Sequence, residues 1–475
     1  MDAPLQPLRI AVVGHTNAGK TSLLRTLARR ADFGEVSDRP GTTRHVERLE
    51  LAVRDRAAVH FFDTPGLEDA VSLREHIDRT ADAATPPERI RRFLQGPEAH
   101  GVFEQEAKVL RALLEVDAAF LVIDAREPVL PKYRDEIELL RSCARPVLPV
   151  LNFVRDPASR EAAWKELLAA YGMHAVVRFD AAAPFVGAER DLYQDLITLL
   201  RDRRQQLEAV VESLAREAAE RCDAAAARIA ELLVDVAALR RHVPAADFDD
   251  EIRRAPQVAQ LQQTVFDKAQ RCASDLLTLY RFRDGDAGEA PLPLLEGRWS
   301  MDFFSPEAMK DAGLRLGKGA AVGAAVGVVA DLAAGGLSLG AGAALGGMIG
   351  GAISQGIGPL GRKLFNTLRD VHELTVEDRV LHVLLAWQLQ LVCALEQRGH
   401  AAMQRIAAGE PQDDAPRQRQ IADILRAVRP ARGHPDWEAG LRTHRIASPQ
   451  RQAVVDQAAQ AVREAIDATV RPAAG

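Results

Sequence analysis

Cysteine is scarce in this chain. Four occur in 475 residues, at Cys143, Cys222, Cys272 and Cys393, with no C-x-x-C pair and no histidine cluster beside them. Thiols so scattered argue against a disulfide framework and against a structural zinc site, and they fit a reducing cytosol. An excess of positive charge is also lacking. The net charge is −6, so no basic surface for nucleic acid is expected. The opening MDAPLQPLRIAVVG has no basic start followed by an apolar core, so no secretory signal is expected. Aromatics are few, at 5%, while Ala and Arg are abundant, a bias that fits a G+C-rich bacterial genome. The histidines of the second half (His242, His372, His382, His400, His434, His444) lie far apart and read as core or surface residues rather than ligands.

What is present is apolar content enough for folding, in a chain too long for one ordinary core, so two or three domains are expected. The informative stretch is GHTNAGKTS (14–22), preceded by the apolar run LRIAVVG (8–14) and followed by SLLRTLARR (22–30), whose apolar residues recur at helical spacing. Strand, glycine loop and helix is the context a phosphate-binding loop requires. Gly14 and Gly19 let the backbone turn tightly so that its amides point inward. The helix start adds the positive end of its dipole. Backbone and side chains from Gly14, His15, Asn17, Ala18, Gly19, Lys20, Thr21 and Ser22 are therefore expected around the phosphates. Lys20 would reach the β- and γ-phosphates, and the Thr21 hydroxyl would bind Mg²⁺.

A second motif follows on another apolar strand, AAVHFFDTPG (57–66). An Asp at such a strand tip, Asp63, can hold Mg²⁺ through water, and the Gly66 amide can sense the γ-phosphate. Between the two motifs lies RPGTTRH (39–45), a loop with two threonines ahead of the strand VERLELAV (46–53). A threonine there is placed to complete the Mg²⁺ shell when the γ-phosphate is present.

In this order, GHTNAGKT, PGTTRH and DTPG resemble the Era-like GTPases of the TrmE–Era–EngA–septin group, over roughly residues 8–200. The resemblance implies an α/β P-loop NTPase fold, Rossmann-like with three layers and a mostly parallel sheet. It implies that Thr43 is the switch threonine on Mg²⁺, with Thr42 its neighbour. It likewise implies that Asp63 is the water-mediated metal ligand and Gly66 the γ-phosphate sensor. In Ras-like enzymes a Gln directly after D-x-x-G orients the attacking water. Here that residue is Leu67, which cannot hydrogen-bond, and the Era-like group shows the same hydrophobic replacement. Slow intrinsic GTP hydrolysis to GDP and phosphate is expected, or catalysis by another group. Several members of the group place an Asn at the position of Asn17 that helps bind K⁺ beside the phosphates. Lys20, Asn17 and Thr43 are thus the expected catalytic set, with Thr21, Thr43 and Asp63 on Mg²⁺. Glu68 and Asp69 read either as water-orienting acids or as first-turn charges of a helix.

DAAFLVIDA (117–125), PVLPVLN (146–152) and HAVVRFDA (174–181) supply the later strands. Guanine selection in the resembled group rests on N-K-x-D after the fifth strand. This chain has NFVRD (152–156): Asn152 is in place, Phe153 replaces the lysine, and the acid, Asp156, comes one residue late. Either the loop bulges so that Asp156 reaches the base, or base selection is degraded. Between DTPG and the fourth strand there is chain enough for an extra helix, either a surface insertion or a docking arm that grows from a switch region.

Beyond residue 200 helical periodicity dominates: 201–243, 256–281, about 362–407, 415–429 and 449–470. The expected division is a GTPase domain at 1–200 and an all-α domain of unknown function at 201–475. Within the latter, 316–361 is almost wholly small or apolar, with Gly319, Gly323, Gly327 and Gly342, Gly346, Gly350 at four-residue spacing. That spacing predicts a glycine-zipper helical hairpin. It is either buried in the helical domain or in contact with a membrane; a flexible linker is the third reading.

The functional expectation is a GTP-binding and GTP-hydrolysing switch whose state the helical domain reads for an unknown protein effector. The location is cytoplasmic, with peripheral or inserted contact at the inner membrane left open. The alternatives are a membrane-remodelling GTPase acting through 316–361 and a ribosome or RNA assembly GTPase, the latter disfavoured by the acidic charge.

Overall fold

The computed structural model describes residues 6–28, 46–53, 56–80, 85–181, 187–281, 294–295, 298–299, 328–330, 371–397, 415–438 and 448–470. Thr42 and Thr43 lie outside the described residues, as does nearly all of 316–361. The chain divides into two compact units, one mainly Met1–Glu220 and one mainly Arg221–Leu395 with Ile406–Gly475.

The first unit is built on six strands: β1 (Leu8–Val13), β2 (Glu47–Val53), β3 (Arg56–Asp63), β4 (Ala118–Asp124), β5 (Val147–Asn152) and β6 (Val177–Arg178). Their order in the sheet is β2-β3-β1-β4-β5-β6. Only β2 runs antiparallel to its neighbour; the other pairs are parallel. The inner strands β4 and β5 read as nearly continuous apolar runs because both faces are covered, whereas the antiparallel edge strand β2 alternates charged and apolar residues. On β1, Ala11 and Val13 face one core, while Leu8, Ile10 and Val12 face the other. On β4, Ala119, Leu121 and Ile123 alternate in the same way with Ala118, Phe120 and Val122.

Helix α1 (Lys20–Ala28), α7 (Ala188–Leu199) and the first turns of α8 (Arg204–Ala238) cover one face. The other carries α2 (Ala70–Thr80), α3 (Pro86–Gln95), α4 (Glu104–Glu115), α5 (Pro131–Ser142) and α6 (Glu161–Ala170). The extra helix expected after DTPG is α3. It starts at Pro86, in a first-turn position where the missing N–H costs nothing, and the Glu88 carboxylate accepts from the Thr85 amide at 3.1 Å. It buries Ile90 and Phe93 in the core, where Phe93 meets Phe103 and His76 edge-on, so it is an integral layer of the domain.

The second unit is mostly helical: the rest of α8, then α9 (Ala245–Phe248), α10 (Glu251–Leu279), α11 (Asp378–Gln397), α12 (Ala415–Val428) and α13 (Pro449–Val470). One core unites them, including Leu233, Leu276, Leu384, Trp387, Ile424 and Val462. Helix α11 is apolar over Asp378–Glu396, long enough to cross a membrane by length and composition, yet most of it is buried in this core. All four cysteines of the chain are buried, and none is in a disulfide.

Three strands interrupt the expected helices. β7 (Arg240–Pro244) takes the end of the 201–243 segment. β10 (Val328–Ala330) and β11 (Val371–Val376) join it in a sheet of order β10-β11-β7, antiparallel throughout. A separate pair, β8 (Leu294–Leu295) with β9 (Arg298–Trp299), lies between α10 and β10 in the chain. The helix expected over about 362–407 is therefore a strand followed by α11. VHELTV carries β-branched residues at Val371, Thr375 and Val376, and its pairing partner RRHVP ends in a proline, which would cost a continuing helix a backbone hydrogen bond. Within the Gly/Ala-rich segment the described residues Val328–Ala330 are likewise extended where the glycine spacing predicts helix.

Candidate nucleotide-binding site

The site lies at the carboxyl ends of β1, β3 and β5. β1 ends at Val13, and the loop that follows turns on Gly14 (φ +141°) and Gly19 (φ +90°). A Cβ on Gly14 would stand 2.3 Å from the Val122 carbonyl oxygen, and one on Gly19 2.3 Å from Asn152 Nδ2. Both positions exclude any side chain, by backbone angle and by space. Asn17 forms the exposed tip in the left-handed region at φ +65°, which Asn tolerates better than most residues. Helix α1 begins at Lys20, so its free N-terminal amides open onto the loop.

Lys20 is buried, and its Nζ donates to the carbonyls of Gly14 (3.1 Å) and His15 (2.9 Å). Burial pushes its ammonium down to about 8, against the pull of Asp63, Glu136 and Glu68. The Thr21 hydroxyl donates to Asp63 Oδ2 at 2.6 Å. The second oxygen, Oδ1, is buried with no hydrogen-bond partner among the described residues. Burial raises the Asp63 carboxyl to about 6, against the Thr21 bond and the Lys20 charge. A hydroxyl and a desolvated carboxylate with an orphaned oxygen are hard donors side by side, the set that Mg²⁺ takes. The residues present fit that ion.

The DTPG segment closes over the loop. Thr64 Oγ1 donates to the Val12 carbonyl at 2.8 Å, the Leu67 amide donates to the Gly14 carbonyl at 3.3 Å, and Leu67 bridges to His15. Gly66 lies so close to Thr16 that a Cβ would meet its Oγ1 at 2.2 Å and its amide nitrogen at 2.7 Å. Leu67 is fully buried in the core. Of the two acids that follow, Asp69 caps α2 by accepting from the Ser72 amide at 3.0 Å, while Glu68 faces Thr16 Oγ1 at 3.5 Å.

At β5 the structure separates the two base-motif residues. Asn152 is buried and braces the loop: its Nδ2 donates to the Ala18 carbonyl (3.0 Å), and its Oδ1 accepts from the amides of Phe153 (3.0 Å) and Ala181 (2.9 Å). Asp156 sits on the turn beyond, its Oδ1 accepting from the Ala158 amide at 2.8 Å and its Oδ2 3.9 Å from Arg126. Phe153, at φ +59°, lies under the Arg126 guanidinium at 3.8 Å, and Arg126 in turn forks onto Asp124 at 3.0 and 2.7 Å.

The loop residues from Gly14 to Thr21, with Asp63, Gly66 and Asn152, thus converge, and Ser22 follows on the first turn of α1. Arg126, Lys132 and Glu136, which sequence reading does not single out, also reach this region. Their only signal is position: all lie just after β4, at the sheet edge where ligands of such folds bind.

This arrangement defines a P-loop GTPase domain. Residues 9–153 match the family described as 50S ribosome-binding GTPase. Residues 165–460 match the family described as a domain of unknown function, DUF3482, and the chain belongs to that family. The N-terminal region is 35% identical over 152 residues to GTPase Der of Nitratidesulfovibrio vulgaris, covering 31% of this chain and 26% of that protein. It is 32% identical over 141 residues to the probable GTP-binding protein EngB of Anaeromyxobacter sp. strain K, covering 29% and 55%. It is 33% identical over 130 residues to the tRNA modification GTPase MnmE of Rhizobium johnstonii, covering 27% and 22%. The chain spans about a quarter of the length of the Der relatives it matches. Among solved structures, Era in complex with MgGDPNP and nucleotides 1506–1542 of 16S ribosomal RNA aligns with 21% identity and a TM-score of 0.27, over 36% of this chain and 50% of that one.

Proposed function

We propose that the chain binds GTP with Mg²⁺, hydrolyses it slowly, and works as a switch whose nucleotide state the C-terminal helical unit conveys to a protein effector. The observation that carries the reading is the Thr21–Asp63 pair, 2.6 Å apart, with an unpartnered buried oxygen on Asp63 beside buried Lys20. Lys20 holds two carbonyls of its own loop. It exchanges them for β- and γ-phosphate oxygens when nucleotide binds, and its charge then stabilises the transferring phosphoryl group. Amides of the loop and of the first turn of α1 orient the phosphates. Mg²⁺, when bound, would neutralise phosphate charge, and Thr21, Asp63 and Thr43 are the residues that would hold it. Gly66, packed against Thr16, offers its amide to the γ-phosphate.

Leu67 faces the core, so no side chain at that position orients water. The slow rate follows, and Asn17 at the exposed tip is the residue through which K⁺ would act. For base selection, Asp156 is the one carboxylate on the turn after β5, with Phe153 as a stacking surface in place of the motif's lysine. GTP is the preferred nucleotide in this reading. The membrane alternative is carried by 316–361, nearly all of which lies outside the described residues.

Calorimetric titration of the purified chain with GTP, GDP and ATP, with and without Mg²⁺, tests the core of the proposal, together with a phosphate-release assay. Mg²⁺-dependent GTP binding that Lys20→Ala abolishes supports it. Equal heats from wild type and Lys20→Ala would end it. Comparing rates in KCl and NaCl tests Asn17; equal rates remove K⁺ from the account.

A further inference from the structure

His15 occupies the second position of the phosphate loop, and its ring points away from the phosphates toward α5. Its Nδ1 lies 2.8 Å from Glu136 Oε1 and its Nε2 2.9 Å from Lys132 Nζ. A lysine only donates, so Nε2 accepts and Nδ1–H donates to the carboxylate. The two partners together favour one arrangement of the ring, with Nδ1–H toward Glu136 and Nε2 toward Lys132. The result is a chain of ammonium, imidazole and buried carboxylate, with the imidazole dipole aligned between opposite charges. Packing alone does not hold the ring. It meets Tyr133 edge-on at 5.5 Å and otherwise borders a cavity of about 250 Å³. The hydrogen bonds are what set its angle.

The backbone of the same residue does two further things. Its carbonyl accepts from Lys20 Nζ at 2.9 Å, and the residue bridges to Leu67, directly after Gly66. The orientation of the His15 peptide therefore bears on the phosphate-binding lysine and on the segment that senses the γ-phosphate. We propose that His15 is a positioning residue for GTP hydrolysis, held by Lys132 and Glu136, which ties the phosphate loop to helix α5. This rests on the GTPase reading above. Losing either partner leaves Nε2 or Nδ1–H unpaired at the cavity wall, and the ring turns to find another. The tie between the phosphate loop and α5 is then lost, and the His15 backbone, no longer anchored through its side chain, holds Lys20 and Leu67 less firmly. The nucleotide still meets the amides of residues 17–22, so binding changes less than turnover.

The test uses the full chain, with GTP turnover, fluorescent-GDP affinity and thermal melting measured on Lys132→Met and Lys132→Gln. Lys132 is half-buried. Methionine keeps much of its stem and removes every donor, whereas glutamine keeps one. Loss of a charge-assisted hydrogen bond predicts that Lys132→Met lowers kcat about tenfold. KM and GDP affinity stay within about twofold, melting is unchanged, and Lys132→Gln recovers most of the rate. Glu136→Gln, which retains an acceptor for Nδ1–H, behaves as the milder partner of Glu136→Leu. Wild-type turnover in Lys132→Met overturns the inference. So does an equal loss in the Met and Gln variants that tracks their melting temperatures. Wild type and Lys20→Ala releasing phosphate at one background rate would instead defeat the GTPase reading, and this inference with it.

Discussion

The hydroxyl of Thr21 donates to Asp63 at 2.6 Å, joining the first turn of α1 to the tip of β3. In the proposed function both groups would hold Mg²⁺; here the Thr21 hydroxyl occupies one Asp63 oxygen and leaves the other without a partner among the described residues, while Lys20 donates to two carbonyls. The charges pay nonetheless for their burial, which gives the site a pH signature. Asp63 is raised to about 6 from 3.8. Its contribution to stability is fully present below 3.8 and is lost as pH rises through about 6. Lys20 is lowered to about 8 from 10.5. Its contribution is fully present above 10.5 and is lost as pH falls through about 8. Between roughly pH 6 and 8 the protein should therefore sit in a stability trough, on the order of 2 kcal/mol deep. Melting curves across pH 4 to 10 should show it, and the double variant Lys20→Met/Asp63→Asn should flatten it. A trough of the same depth in the double variant would place its cause elsewhere.

Gly66→Ala should separate binding from turnover. The added Cβ collides with Thr16, so the DTPG segment withdraws from the loop. GDP affinity should change little, whereas GTP hydrolysis should fall by at least about tenfold, as expected when a γ-phosphate amide is lost. Stopped-flow GDP release alongside single-turnover hydrolysis distinguishes the two.

Leu67→Gln should not accelerate hydrolysis. The side chain is fully buried in the core that α2 and α4 share. Glutamine there is buried without a partner and should destabilise the domain by about 2 kcal/mol. A faster enzyme of unchanged melting temperature would show that residue 67 reaches the site.

Asp156→Asn should move nucleotide preference from GTP toward XTP. A carboxylate accepts from N1–H and the 2-amino group of guanine, whereas an amide suits the 2-oxo group of xanthine. A change of about tenfold or more in the GTP-to-XTP affinity ratio is expected. An unchanged ratio would leave Asp156 as a turn residue tied to Ala158 and Arg126.

In the helical unit, Gln388 is fully buried on α11. Its Nε2 donates weakly to the Ala269 carbonyl at 3.3 Å, and its Oε1 has no partner among the described residues. Gln388→Met should be neutral to stabilising by about 1 kcal/mol in chemical denaturation. A loss of more than that would mean the amide has a structural partner.

The sheet was legible because parallel strands covered on both faces read as apolar runs, as Ala118–Ile123 does throughout and Leu8–Val13 does but for Arg9. The phosphate loop was legible because glycine spacing is a backbone requirement that nothing else in the fold overrides. The motif singles out Asn152 for the base side of the site, but the bond it makes here, to the Ala18 carbonyl, depends on a contact across 134 residues that spacing does not encode. His15 was named as a loop residue, while its partners Lys132 and Glu136 lie about 120 residues away on a helix whose amphipathic pattern explains them as surface and core. In the second half, helical periodicity concealed β7 and β11. Five- and six-residue strands at the ends of long helices are too short to break a pattern counted over two turns or more.

Helix α11 has one further implication, for the ribosome rather than the folded protein. Its apolar length is covered by a core that includes α12 and α13, the helices that follow it among the described residues. During synthesis it emerges roughly 50 residues before α13 begins, and in that interval it presents the kind of surface that chaperones and membrane-insertion machinery both recognise. A nascent chain stalled between Gln397 and Pro449 should bind such factors, and release should coincide with the arrival of the C-terminal helix.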